Sequence, residues 1–175
     1  MDEPSTDIIQ LAAKGDIDAF GEIYRAFSRL VYNVIFRIVG SKEDAEELTQ
    51  EVFVSIFQKL GQFQFKSSIK TWVYRVAVNT ALTGKQKQNR EKEKVMELGS
   101  AKRVQDQSIK SEITMESISD LLNVLPQDQR ICLILRSMEG LSYQEISDTL
   151  QLNLNTVRTR LKRARETLIG IRGRN

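Results

Sequence analysis

Apolar residues recur at three- and four-residue spacing along most of the chain, a pattern that predicts amphipathic α-helices. The N-terminal half contains four such segments, which glycines or a polar loop separate. They cover about residues 7–14, 16–39, 42–60 and 69–82. The apolar stripe of the second segment comprises Phe20, Ile23, Tyr24, Phe27, Val31, Val34, Ile35 and Ile38. We therefore expect an all-α fold.

The third segment has one apolar face and one acidic face. Its inward stripe comprises Ala45, Leu48, Val52, Ile56 and Leu60. The acidic and amide residues of its early turns point away from most of this stripe: Asp44, Glu47, Gln50 and Glu51. Ser41 is a favoured N-cap for this helix, and Gly40 is a favoured terminator of the helix before it. Taken alone, the acidic face is best explained as a solvated surface that complements the helix dipole.

A polar segment without aromatic residues, 91–112, divides the chain into two predicted domains. Its composition leaves open whether it is a helix or a linker, but it cannot build a second core. We expect small helical domains over residues 1–90 and 113–175, joined by a linker too polar to fix one against the other. Within the second domain, Pro126 begins a predicted helix and Gly140 ends it.

The last 35 residues predict a helix-turn-helix. Ser142 and Glu145 form a capping-box pair before one short helix, and Asn153 is a favoured N-cap for the next. The apolar stripe of the second helix comprises Val157, Leu161, Ala164 and Leu168. Basic residues lie off this stripe or at its edge: Arg158, Arg160, Lys162, Arg163 and Arg165. Such a basic second helix is typical of motifs that enter the DNA major groove. Gln151 stands at the turn, where its backbone must become left-handed or a different turn must form.

Charge is divided into blocks along the chain, although the formal net charge is only +3. Residues 1–62 carry 6 basic and 11 acidic side chains, and residues 95–152 carry 5 and 9. Residues 66–94 carry 8 basic and 2 acidic side chains, and residues 153–175 carry 7 and 1. Two basic blocks between acidic ones indicate two nucleic-acid contacts on one chain. Solvated helix faces are the alternative for either block alone.

Several function classes are not expected. The chain has no histidine, and its one cysteine, Cys132, lies in an apolar run that predicts a core position. No catalytic motif, metal site or cofactor-binding loop is recognisable, so we expect neither an enzyme nor a cofactor. No apolar run approaches the roughly 20 residues of a membrane span. The acidic N-terminus lacks an apolar signal sequence, and we expect a cytoplasmic protein without membrane insertion.

Three motifs in order resemble a known family. They are "DAEELTQEVFVSIFQKL", "SSIKTWVYRVAVNTA" and "LPQDQRICLILRSMEGLSYQEISDTLQLNLNTVRTRLKRARETL". Together they are similar to a bacterial extracytoplasmic-function (group 4) RNA polymerase sigma factor. The resemblance implies a region 2-like domain over 1–90, for core polymerase binding and promoter melting, and a region 4-like domain over 113–175. It also implies a factor that binds core RNA polymerase and directs promoter-specific transcription initiation.

The resemblance assigns partners to the helices. It implies contacts with the clamp coiled coil of the largest polymerase subunit, the flap of the second largest subunit and promoter DNA, with an anti-sigma factor as a candidate regulator. The implied polymerase-binding residues are Asp44, Glu47, Gln50 and Glu51. The implied minus-thirty-five DNA-binding residues are Thr156, Arg158, Thr159, Arg160, Lys162 and Arg163. Of these, Thr156 and Arg160 are better placed for phosphates, which set register without reading sequence.

The minus-ten contacts are expected between residues 63 and 79. Basic residues would hold phosphates, and aromatic residues would stack on unpaired bases. The implied residues are Phe63, Gln64, Phe65, Lys66, Ser67, Lys70, Arg75 and Asn79. Asn79 matches the position that captures a flipped base in the family, whereas Gln64, Phe65 and Lys66 replace its usual Arg-Gly-acid run. Trp72 is expected in the core, because it shares a helical face with Ile69, Val76 and Thr80. Tyr74 faces differently, and its position is left open between the core and the DNA surface.

Two rival functions remain at this point. A self-sufficient DNA-binding regulator would use only the helix-turn-helix and would ordinarily dimerise to read two half-sites. A helical protein-interaction adaptor would carry its basic faces incidentally. Neither rival needs the aromatic and basic block at residues 63–90, which therefore favours the sigma factor.

Overall fold

The computed structural model describes residues 3–98 and 118–172, and within these ranges it contains helices and no β-strand. The α-helices are α1 (Thr6–Ala13), α2 (Ile17–Val39), α3 (Lys42–Lys59), α4 (Ile69–Leu98), α5 (Ile118–Asn123), α6 (Gln127–Ser137), α7 (Tyr143–Leu150) and α8 (Leu154–Arg172). A single 3₁₀ turn, Leu60–Gln62, follows α3 in this part of the chain. The all-α prediction is confirmed, and the predicted bounds of α1 to α3 agree within one or two residues.

Local caps fix the start of α2 and the junction between α2 and α3, and two of them, Gly40 and Ser41, are predicted from the sequence. The Asp16 carboxylate accepts a hydrogen bond from the Ala19 amide at 2.9 Å, and Ser41 Oγ accepts from the Asp44 amide at 3.3 Å. Gly40 ends α2 in the left-handed conformation, with φ of 82°. These caps satisfy amides and carbonyls that a helix end otherwise leaves unpaired.

The N-terminal core lies where α2, α3 and α4 pack together. The predicted stripe of α3 is confirmed as buried, from Ala45 through Leu60. Gly84 of α4 faces Leu48 so closely that an added Cβ would lie 2.8 Å from Leu48 Cδ2. In α2 the predicted stripe is wrong at Tyr24, which is 48 % exposed. Its ring lies on that of Phe53, with 4.6 Å between centroids, at the rim of the core.

Helix α4 differs from its prediction in rotation and in length. Tyr74 is 1 % exposed, whereas Trp72, Val76 and Thr80 are only half-buried, so the predicted core face is rotated from the observed one. The buried face comprises Ile69, Val73, Tyr74, Ala77, Val78 and Ala81. The helix also continues to Leu98, into the segment predicted as a linker. The remainder of that segment, 99–112, lies outside the described residues.

The C-terminal core forms between α6, α7 and α8. Its fully buried side chains include Cys132, Leu135, Ile146 and Leu161, so the core position predicted for the cysteine is confirmed. The sequence places the end of α6 too late. The helix ends at Ser137, and Gly140, with φ of 73°, belongs to the turn that follows.

The two helical units contact each other directly, with α7 on α4 and α6 on α2. The expectation that a polar linker leaves them unfixed is therefore wrong for this structure. Side chains far apart in the sequence take part in this contact. Arg37 and Glu139, which are 102 positions apart, form an ion pair at 2.6 Å between the two units.

Candidate nucleic-acid interface

Helix α8 presents a basic face to solvent. Asn153 Oδ1 accepts a hydrogen bond from the Asn155 amide at 2.8 Å at the start of the helix, which confirms the predicted N-cap. Val157, Leu161 and Ala164 are fully buried against the rest of the unit, and Leu168 is half-buried. The side chains on the opposite side are exposed: Arg158, Thr159, Lys162 and Arg163. Burial of the stripe thus fixes which face remains open for a ligand.

The exposed residues of α8 make only weak local contacts. Arg158 Nη1 donates to Asn155 Oδ1 at 3.2 Å, and Thr159 Oγ1 donates to the Asn155 carbonyl at 2.8 Å. Lys162 and Glu166 pair at 3.8 Å, with both side chains largely exposed. Exposed pairs of this kind contribute little stability, so these side chains can exchange their partners for a ligand at low cost.

Arg160 differs from the other basic residues of α8. It is half-buried, and its Nε lies 3.1 Å from Asp128 Oδ2, which ties α8 to α6. Burial raises the pKa of the neighbouring Cys132 thiol, and Arg160 partly opposes this shift. A phosphate would have to compete with Asp128 for this guanidinium.

The turn before α8 is built from a capping box and a left-handed residue. The Ser142 amide donates to Glu145 Oε2 at 2.7 Å, and Ser142 Oγ accepts from the Glu145 amide at 3.2 Å. The hydrogen bonds from Ser142 lower the pKa of the Glu145 carboxyl. Gln151 ends α7 with φ of 53° and ψ of 44°, which confirms the left-handed alternative. These two devices set the angle between α7 and α8.

Helix α3 carries the acidic face that the sequence predicts. Glu47, Gln50 and Glu51 are exposed, and Asp44 is half-buried. A groove of about 610 Å³ separates this face from α4. Its charged and polar lining includes Asp44, Glu47, Glu51, Lys59, Asn79, Thr83 and Lys87. The groove therefore brings the acidic residues predicted for polymerase together with Asn79, which is predicted for promoter DNA.

The acidic face continues into exposed apolar residues that the sequence analysis did not single out. Val54 is 57 % exposed and Phe57 is 45 % exposed, one to two turns beyond Gln50. The Phe57 ring meets the edge of Phe20, with 4.9 Å between centroids. The segment "VFVSIF" is apolar except for Ser55, and this composition conceals which of its members point outward. In the sequence, the only sign of their exposure is that they do not belong to the inward stripe of α3.

Two aromatic rings of the loop between the 3₁₀ turn and α4, and a third from the first turn of α4, form a row. The ring centroids of Phe63 and Trp72 are 5.5 Å apart, and those of Phe63 and Phe65 are 4.8 Å apart. Phe65 ends the row, 47 % exposed, with a left-handed backbone at φ of 55°. Such a conformation costs a bulky residue on the order of 1–3 kcal/mol and is concentrated at functional sites. Gln64 and Lys66, on either side, are also exposed.

The remaining residues predicted for the minus-ten element do not share one surface. Asn79 is exposed in the groove beside α3, whereas Lys70 lines a different groove with Asn33 and Glu139. They are nine positions apart, which is two and a half helical turns, so they lie on opposite sides of α4. Ser67 is half-buried, and Arg75 points into α7, where its Nη2 donates to the Asp148 carbonyl.

Two further observations concern only residues 3–98 and 118–172. This part of the chain contains no group of three or more His, Cys, Asp or Glu side chains placed to hold a metal ion. It also contains no helix with the length and apolar character that a membrane crossing requires.

Two family models match the chain. The one described as Sigma-70 region 2 matches residues 23–91, and the one described as Sigma-70, region 4 matches residues 115–168. The ECF RNA polymerase sigma-E factor of Escherichia coli K12 is 31 % identical over 182 residues, covering 96 % of this chain and 95 % of its own. The RNA polymerase sigma-H factor of Pseudomonas aeruginosa is 28 % identical over 179 residues, covering 95 % and 92 %.

Two solved structures share the fold. CnrH in complex with the cytosolic domain of CnrY superposes with a TM-score of 0.74 at 17 % identity, over 99 % of both chains. The sigma factor RpoE of Bartonella quintana, in complex with the anti-sigma factor NepR, gives a TM-score of 0.70 at 20 % identity. That match covers 87 % of this chain and 95 % of the other.

Proposed function

Because the chain belongs to the sigma-70 family, in its extracytoplasmic-function group, we propose that three sets of residues bind polymerase, the minus-ten element and the minus-thirty-five element. The protein binds core RNA polymerase and directs promoter-specific transcription initiation, with region 2 at the minus-ten element and region 4 at the minus-thirty-five element. The protein acts as a regulator of transcription, without catalysis of its own, and works on polymerase in the cytoplasm.

The observation that carries the proposal is the exposed face of α8. Arg158, Thr159, Lys162 and Arg163 cover about two turns opposite a fully buried stripe. An arginine that binds guanine bidentately contributes roughly 1–3 kcal/mol of discrimination. Arg158 and Arg163 are assigned to base edges of the minus-thirty-five element. Thr156 and Arg160, both half-buried, are assigned to phosphates. To bind a phosphate, Arg160 would have to give up its ion pair with Asp128.

The polymerase surface is assigned to the outward face of α3. Asp44, Glu47, Gln50 and Glu51 supply charge and hydrogen-bonding groups. Val54 and Phe57 extend this surface with apolar area that is expensive to leave in water. An interface with an apolar centre and a polar rim is the usual composition of a specific protein contact. The clamp coiled coil is its proposed partner, and the flap is the proposed partner of region 4.

The minus-ten surface is assigned to the loop at residues 63–68 and to Asn79. Phe65 presents an exposed ring that rests on Phe63, which in turn rests on Trp72. A base that stacks on such a platform gains about 1–3 kcal/mol. Lys66 stands beside it for the backbone phosphate, and Asn79 supplies the amide that would pair with a flipped base. The strained backbone of Phe65 supports this assignment, since it keeps the ring outward.

Run-off transcription with purified core polymerase tests the proposal, on a template with both elements. The protein alone should produce no transcript, and its addition to core should produce a promoter-specific one. Arg158→Ala with Arg163→Ala should reduce the transcript, while Lys14→Ala, which removes an equally exposed charge from the end of α1, should not. A self-sufficient DNA-binding regulator would instead bind the promoter tightly without core and leave core inactive. An anti-sigma factor, where one exists, is expected to compete with core for the α3 surface.

A further inference from the structure

We infer that Asp128, in the first turn of α6, competes with promoter phosphate for the guanidinium of Arg160 and so weakens the minus-thirty-five contact of region 4. The inference rests on the proposed function, because it takes Arg160 of α8 as a phosphate-binding residue. It adds an acidic positioning residue on a different helix, which acts on the promoter through Arg160.

The ion pair turns Arg160 toward α6. Its Nε lies 3.1 Å from Asp128 Oδ2, and the side chain of Arg160 is 28 % exposed whereas that of Asp128 is 48 % exposed. The guanidinium also lies beside the buried Cys132, since it partly opposes the rise in the pKa of that thiol. The acidic partner is thus the one that faces solvent more, and the cation lies deeper between the two helices.

Two neighbouring cations of α8 are held far more loosely. Arg158 donates to a neutral side chain of its own helix at 3.2 Å. Lys162 pairs with Glu166 at 3.8 Å, and its side chain is 76 % exposed. A phosphate can therefore reach both of them directly. For Arg160 the same contact requires that an ion pair between two helices is first broken.

The position of Asp128 also opposes the approach of the DNA backbone. Thr156, Arg160 and Arg163 follow one another at four- and three-residue spacing, so they share one flank of α8. A recognition helix lies in the major groove, whose walls are phosphate backbones, so this flank faces one of the two strands. An exposed carboxylate at the flank repels those phosphates. Asp128 therefore both occupies the guanidinium and adds a like charge beside its alternative partner.

The competition predicts an unusual salt dependence. A free cation that neutralises one phosphate releases counterions, which steepens the plot of log affinity against log salt by about 0.9. Arg160 instead exchanges one anionic partner for another. The Asp128 carboxylate that it leaves behind attracts a cation from solution, so the net release of ions is smaller. The salt slope of the parent protein should therefore lack most of the contribution of Arg160, and removal of the carboxylate should restore it.

The test measures closed-complex formation by the full chain bound to core polymerase. Competition binding to a duplex promoter, at a temperature that keeps the duplex closed, is repeated over a range of salt concentrations. Asp128→Asn should raise the affinity about two- to fivefold, as expected for loss of a partly exposed ion pair, and steepen the salt slope by about 0.9. Asp120→Asn is the matched control, because it removes an exposed carboxylate from the first turn of α5. It should leave both quantities at the level of the parent protein.

A double variant shows whether Asp128 acts through Arg160. In an Arg160→Gln background, Asp128→Asn should raise the affinity much less, because no guanidinium is left to release. A full gain in that background would mean that Asp128 only repels DNA, and a lower affinity of Asp128→Asn would mean that it orients Arg160 toward phosphate.

Either result, or an affinity and slope equal to those of the parent, would overturn the inference while the parent still transcribes with core. A parent protein that fails to transcribe with core would overturn the proposed function instead.

Discussion

The backbone at Gln151 is an unfavourable conformation held by a residue that is not glycine. Gln151 has φ of 53°, and Gly140, in the preceding turn, has φ of 73°. We expect Gln151→Gly to raise the free energy of unfolding by about 0.5–1 kcal/mol, because relief of left-handed strain exceeds the entropy that glycine adds to the unfolded chain.

Gly140→Ala is the matched reverse change. A Cβ there meets nothing within 4 Å, so backbone strain alone should decide the outcome, and we expect a loss of about 1 kcal/mol. Urea unfolding followed by circular dichroism measures both variants. If both substitutions change the free energy of unfolding in the same direction, backbone strain does not explain their effects.

Cys132 should behave as an inert core residue. Its side chain is fully buried, and burial raises the pKa of its thiol, so both access and thiolate population are low. We expect modification by a thiol reagent at pH 7.5 to be limited by unfolding and to accelerate with urea in step with the loss of helicity. Rapid modification of the folded protein would contradict this, and the exposed cysteine of Glu166→Cys serves as the fast control.

At the scale of single elements, the capping box should make a pH-dependent contribution to stability. Glu145→Ala removes one reciprocal hydrogen bond of α7 and should cost about 1 kcal/mol at pH 7. Because the folded state lowers the pKa of Glu145 below its ordinary 4.5, the ionised carboxylate is the stabilising form. The contribution should be present above pH 4.5 and be lost as the pH falls through the folded pKa.

Glu166→Ala is the control for this capping box, since Glu166 forms only an exposed pair with Lys162. It should cost no more than about 0.5 kcal/mol. Thermal unfolding at pH 7 and pH 3.5 provides the comparison. If Glu145→Ala lowers the free energy of unfolding equally at both pH values, the charge of Glu145 does not contribute to stability.

The elements also show what the sequence can predict. Caps such as Ser41, Asn153 and the Ser142–Glu145 pair depend on neighbours within four residues, and their predictions are confirmed. The full burial of Tyr74, with Trp72 only half-buried against the core, was not predictable in this way, because several faces of α4 are apolar. Which face is buried depends on where α2, α3 and α7 lie.

Contacts between distant parts of the chain were the least predictable part of the candidate site. Arg75, Arg160 and Lys70 are basic residues, and the sequence alone predicts that they contact DNA. In the structure Arg160 pairs with Asp128 and Arg75 with a carbonyl of α7, across separations that no periodicity encodes. By contrast, the exposure of Arg158, Lys162 and Arg163 follows from the apolar stripe of α8, and the sequence suffices for it.

At the scale of the whole molecule, the two regions should contribute to different steps of initiation. Arg158→Ala should weaken closed-complex formation by roughly 1–3 kcal/mol if the side chain binds a base. Asn79→Ala should leave duplex binding nearly intact and reduce the permanganate reactivity of unpaired thymines. A template with a pre-melted bubble should restore much of the Asn79→Ala activity, because the unpairing cost has already been met.

Lys14→Ala again supplies the control, and all variants are compared by mobility shift and by run-off transcription with core polymerase. If the bubble template restores Arg158→Ala as fully as Asn79→Ala, the two regions do not divide recognition and opening between them. That result would contradict the roles proposed for Arg158 and Asn79, whereas the family assignment would still hold.

The aromatic row of Phe65, Phe63 and Trp72 also gives the protein an optical property. Trp72 is the single tryptophan of the chain, and it touches Phe63, which touches the exposed Phe65. Indole emission changes in wavelength and intensity with the polarity and stacking of its surroundings. Capture of an unpaired base at Phe65 should therefore alter the intrinsic fluorescence of the unlabelled protein. In polymerase whose own tryptophans have been substituted, this signal would time the entry of the base into the loop.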